Sequence, residues 1–246
     1  KKNIIVFVIF ASSIIYSLCG FKKEKVVLAI NCGGESHTSK DGQIEYMADT
    51  YFDTGSSSDH GLQYDISGTD DQIIYQTERW SSETLTYSLP LSVTGKYTLV
   101  LKFSEVYFQR KGQKVFDVAF GSKKIIHNLD IFDHVGREVA YDEYIEFEFK
   151  NAAIYYKGER IPSAYDKKKK VMFLRFLKGK NDNPKINGIV LVKGTKDDTD
   201  YDSKKKQREA AEQKRKRERK STDDLIKRHM FDDDSDADES PYAVLF

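Results

Sequence analysis

The segment EYIEFEF, residues 143–149, alternates without a break between two kinds of side chain. Tyr144, Glu146 and Glu148 fall on one side, and Ile145, Phe147 and Phe149 on the other. Successive strand side chains point to opposite faces, so this pattern suits a strand with one buried face. Short apolar or alternating runs recur at 26–31, 72–77, 83–89, 96–108, 114–120, 152–156, 171–177 and 186–192. Turn signals separate them: Gly33-Gly34, Thr94-Gly95, Gly121-Ser122, Lys157-Gly158 and Asn183-Pro184. Many short strands with such punctuation predict an all-β antiparallel β-sandwich over residues 22–195, with no long helix before residue 200.

The two ends differ in character. Residues 1–19 open with two lysines, continue as an apolar run from Ile4 to Tyr16, and place Ser17 and Cys19 at the small-residue spacing of a signal-peptidase site. They read as a secretory signal peptide. Residues 196–246 read as a charged tail, partly helical or disordered, with ten Lys or Arg in 204–220 and the acidic block DDDSDADES at 232–240. A membrane tether is expected only through a segment beyond this tail.

Composition narrows the function classes. Aromatics make up 13% of the chain, with 15 Tyr and 15 Phe, while the formal net charge is +1. That balance does not suggest a nucleic-acid partner. Two cysteines exclude a disulfide framework, and the five histidines lack metal-ligand spacing. No nucleophile elbow or phosphate-binding loop occurs, and no carboxylate pair stands out, Glu105 with Asp117 being one of many. The chain therefore reads as non-catalytic, without cofactor or metal.

The aromatics remain. The run 96–108 reads as a strand ending in Tyr107 and Phe108, so one of these rings should point outward. A sugar ring offers a flat C–H patch ringed by hydroxyls. Its site needs aromatic faces and fixed polar groups, and loops at a sandwich rim supply both. Tyr107-Phe108 and Trp80 are suited to that role.

Six ordered motifs carry a resemblance: AINCGGE (29–35), DQIIYQTERW (71–80), YTLVLKFSEVYF (97–108), KVFDVAF (114–120), LDIFDHVG (129–136) and DNPKINGIVLVKGT (182–195). Over residues 26–195 the chain resembles the malectin family of carbohydrate-binding lectins. The resemblance implies a jelly-roll-like or galactose-binding-like sandwich that binds α-linked glucose disaccharide units of glucosylated high-mannose N-glycans without hydrolysing them. It also implies a luminal role in the endoplasmic reticulum, in glycoprotein quality control beside the N-glycosylation machinery. Carried over by motif, the site is Tyr107, Phe108 and Asp182, with Trp80 where animal relatives have Tyr and His60 where they have an aromatic in DYG. A glycan-processing enzyme and a protein-interaction module that has lost sugar binding are the alternatives.

Overall fold

A computed structural model describes residues 20–207, together with 209, 210 and 213. The expected signal peptide and most of the charged tail lie outside the described residues. Two units separate, Lys1–Asp202 and Ser203–Phe246; the described residues of the second are helical. No helix among the described residues is long and apolar enough to cross a membrane.

The strands are β1 (Val26–Asn31), β2 (His37–Thr38), β3 (Glu45–Ala48), β4 (Ser56–Ser58), β5 (Glu78–Trp80), β6 (Leu85–Pro90), β7 (Gly95–Phe103) and β8 (Val115–Phe120). They continue as β9 (Lys123–Leu129), β10 (Tyr141–Lys150), β11 (Ala153–Tyr156), β12 (Glu159–Ile161), β13 (Tyr165–Asp166), β14 (Val171–Asn181), β15 (Lys185–Ile186) and β16 (Gly188–Lys193). Two short helices, α1 (Ile73–Gln76) and α2 (Ile131–Val135), interrupt them. One sheet runs β12-β11-β10-β7-β16-β1-β3-β2. A second carries β13, β14, β8 and β9, with β6 on β14. Pairing is antiparallel except between β1 and β3. This is the all-β sandwich that the alternation predicts.

The main core lies between these sheets. Ile145, Phe147 and Phe149 of β10 meet Leu99 and Phe103 of β7, Phe116 and Phe120 of β8, and Phe176 of β14. β7 is buried on both faces, because a second cluster covers its other side. Val100, Val190 and Tyr144 there pack against Ile66, Ile74 and Tyr75. This cluster explains why Tyr144 is buried although it shares a face with Glu146 and Glu148.

The run 72–77 differs from the sequence reading: Ile73–Gln76 is one helical turn, not a strand. Tertiary bonds decide this. The Asn187 amide donates to the carbonyls of Tyr75 and Thr77 at 3.0 and 2.7 Å, and the Ser104 hydroxyl donates to Tyr75 O at 2.6 Å. These buried partners satisfy carbonyls that a strand neighbour would otherwise need to reach.

The domain's two ends are pinned together. Asp198 accepts from Lys22 and Lys25 at 2.5 and 2.9 Å and closes a capping box with Thr195. Tyr201 packs edge-on against Tyr144, whose hydroxyl donates to Asp200 at 2.7 Å. Beneath them Lys102 and Asp142 form a buried ion pair at 3.2 Å, joined by Tyr75 OH.

Candidate functional site

The expected strand through 108 stops at Phe103. Ser104 N donates to the Asn187 side chain at 3.0 Å, and the chain leaves the sheet. Glu105 then sets the turn. Its buried carboxylate accepts from the amides of Tyr107 and Phe108 at 2.8 and 3.0 Å. Strand alternation therefore does not govern these rings; one carboxylate holds both. Tyr107 is 69% exposed and Phe108 is half-buried. The ring centroids lie 5.1 Å apart, edge to face.

From this pair the site extends in two directions. On one side, His60 in the turn His60–Gln63 brings its ring 6.1 Å from Tyr107 and 5.5 Å from Tyr64. Tyr64 is backed by the Arg137 guanidinium at 4.7 Å, and Arg137 donates to Val106 O at 2.9 Å. On the other side, the Lys114 ammonium lies 5.4 Å from the Phe108 ring centroid. That ammonium ion-pairs with Asp182 and donates to Asn183 O at 3.1 Å. Asp182 itself sits at φ 60, in a tight turn before buried Pro184. Four sequence-derived residues thus form a line: His60, Tyr107, Phe108 and, across Lys114, Asp182.

Trp80 joins through the backbone. β5 lies between β4 and β15, with Ser56 and Lys185 directly opposite Trp80. Gly55, at φ 93, packs against the Trp80 carbonyl where a Cβ would collide. Directly opposed residues share a face, so Trp80 stands beside Lys185. Lys185 is buried and ion-paired with Glu78. Burial pulls its ammonium toward the neutral form; Glu78, Glu105 and Asp182 outweigh this and hold its pKa above the usual lysine value.

Glu78, Glu105, Lys114 and Lys185 are absent from the sequence-derived site. For Glu105 a local signal exists: an acceptor two and three residues before two amides is the pattern by which a side chain caps a turn. The Glu105–Asp117 pair is not an acid–base pair. Glu105 is engaged by backbone amides, and Asp117 by Lys124 and by the Asn128 amide at 2.7 Å. No group of three or more His, Cys, Asp or Glu that could hold a metal occurs among the described residues.

The arrangement is an open platform: flat rings flanked by fixed carboxylate, carbonyl and ammonium groups. A cavity of about 230 Å³ lies elsewhere, lined by Lys96, Glu146, Tyr155 and Lys157. Lys96 is the second residue of β7 and Phe103 ends it, so at ~3.3 Å per residue the cavity and platform are about 20 Å apart.

The malectin domain model matches residues 26–189. Malectin-A of Xenopus laevis is 41% identical over 178 residues, and malectin of Homo sapiens 40%, each across 71% of this chain. The match spans 62% and 59% of those relatives' lengths. Among solved structures, the ANXUR2 extracellular domain of Arabidopsis thaliana superposes with TM-score 0.56 at 14% identity, over 68% of this chain and 48% of that one. A Bacteroides uniformis beta-glucuronidase superposes with TM-score 0.52 at 20% identity, over 68% and 18%. Such likenesses concern the fold alone, whereas the domain match and the 40% relatives establish kinship. The chain belongs to the malectin family.

Proposed function

We propose that this chain is a non-catalytic lectin whose aromatic platform binds α-linked glucose units of glucosylated high-mannose N-glycans. The observation that carries the reading is the exposed Tyr107 ring, fixed at its backbone by Glu105 and placed in line with His60, Phe108 and Asp182. A sugar's C–H face would stack on the rings. Its hydroxyls would donate to Asp182, where an ionised acceptor makes the stronger kind of hydrogen bond. An open platform suits a terminal unit of a glycan still attached to its protein. Trp80 keeps a broad π face without a phenolic hydroxyl, and His60 offers a smaller ring with a polar edge, so sugar preference differs in detail from relatives bearing Tyr there.

Family kinship supports a place in the endoplasmic reticulum, in glycoprotein quality control beside the N-glycosylation machinery. Calorimetric titration of the chain with an α-1,3-linked glucose disaccharide tests the binding claim. Saturable, roughly micromolar binding is expected, near −8 kcal/mol. A folded chain that binds no α-glucoside would instead favour a protein-interaction module.

A further inference from the structure

We infer that Lys185 is the positioning residue of the sugar platform, the buried cation that fixes Trp80, the Tyr107–Phe108 turn and the Asp182 turn relative to one another. This rests on the lectin reading and extends it to a residue that touches no ligand. Three features support it. Lys185 lies opposite Trp80 in the β5–β15 register, so the two side chains share a face. Lys185 is 1% exposed, and its ammonium is ion-paired with Glu78, two residues before Trp80 on the same strand. The same charge is stabilised by Glu105, which holds the amides of Tyr107 and Phe108, and by Asp182, three residues upstream.

The charge arithmetic makes the role specific. Glu78, Glu105 and Asp182 bring three carboxylates to the platform's base; Lys114 directly pairs only Asp182. Without Lys185, Glu78 loses its ion-pair partner and Glu105 loses its nearby cation. Glu105 would then shift toward water, because a buried carboxylate without a counter-charge is costly, and the Trp80 strand would lose the ion pair that ties it to β15. Glu78 carries the Trp80 strand and Glu105 carries the aromatic turn, so the shift would pull the rings out of register. The Phe108–Lys114–Asp182 side would keep its own ion pair, which makes Trp80 and Tyr107 the reporters.

Trp80 is the only tryptophan in the chain, so intrinsic fluorescence reads its surroundings directly. The test compares wild type, Lys185→Arg and the double variant Glu78→Gln/Lys185→Met, using the α-1,3-linked glucose disaccharide as probe. The double variant replaces the ion pair by neutral groups of similar size, and circular dichroism and a cooperative melt read whether it folds. Expected results are a displaced Trp80 emission maximum without sugar and a dissociation constant raised about tenfold or more. Lys185→Arg keeps the charge and should bind within about threefold of wild type. A folded double variant with wild-type affinity would overturn the inference. So would a double variant that does not fold, since Lys185 would then be a residue of the fold and not of the site. If wild type itself binds no glucoside, the lectin reading fails, and unchanged Trp80 emission in the folded double variant would separately reject the positioning role.

Discussion

Replacing Tyr107 by alanine separates binding from folding. The ring is 69% exposed, and its contacts are edge-on to Phe108 at 5.1 Å and His60 at 6.1 Å. The turn beneath it is held by bonds from the backbone amides to Glu105, which the substitution leaves in place. Stability should therefore change by no more than about 0.5 kcal/mol, as for other exposed positions. Affinity should change more. A sugar stacked on the ring would bury roughly 50–80 Å², worth about 1–2 kcal/mol at ~25 cal/mol per Å². At ~1.4 kcal/mol per tenfold, the dissociation constant rises about 5- to 30-fold. Calorimetry with the disaccharide and a thermal melt, run on the same preparations, give both quantities. A dissociation constant within twofold of wild type would remove Tyr107 from the site. A fall in melting temperature matching the affinity loss would mean that the ring supports the fold and that the stacking argument is wrong.

Three further outcomes follow from the geometry. Asp182→Asn should weaken disaccharide binding about tenfold while the melt stays cooperative, because it removes the charged acceptor and frees Lys114; unchanged calorimetry would place Asp182 outside the site. Lys102→Met should cost about 3–5 kcal/mol in urea unfolding, since it leaves buried Asp142 without its counter-ion; a loss under 1 kcal/mol would contradict the pairing. The third concerns acid. Burial pushes the Asp198 carboxyl up, but Lys22, Lys25 and the Thr195 amide outweigh it and lower its pKa to about 2. A carboxyl lowered in the folded state stabilises above its unfolded value, near 3.8, and that stability is lost as pH falls toward 2. Asp198→Asn should flatten this part of the stability profile, and an unaltered acid limb would refute the assignment.

The sandwich was legible because its strands carry period-two patterns that the sheets obey. Ile145, Phe147 and Phe149 all point into the core, as the alternation of EYIEFEF requires. Where a strand is covered on both faces the pattern is lost. β7 reads as a continuous run, and its end at Phe103 is set by Asn187, 84 residues later, which no local window contains. The same side chain makes a helical turn of Ile73–Gln76 against a strand-like composition. Short strands such as β4 and β15, which carry no periodicity of their own, stayed invisible although they hold Trp80 in place.

The site divides along the same line. Tyr107, Phe108 and Trp80 stand out in the sequence as aromatics at the ends of strand-like runs, whereas His60 and Asp182 enter only through the family resemblance. The groups beneath them do neither. Lys114 and Lys185 look in the sequence like ordinary surface lysines; the approach of β8 to the 181–184 turn gives Lys114 its partner, and the pairing of β15 with β5 gives Lys185 its own. A buried charge is defined by its surroundings, and those come from four separate segments of chain.

The central claim, that the aromatic line is where sugar binds, is tested most directly by amide NMR of the chain titrated with the α-1,3-linked glucose disaccharide. The account predicts saturable shifts of the Tyr107, Phe108 and Asn183 amides and of the Trp80 indole, with Lys96 and Lys157 beside the distant cavity unmoved. Saturable shifts at the cavity with a silent Tyr107–Phe108 turn would contradict it.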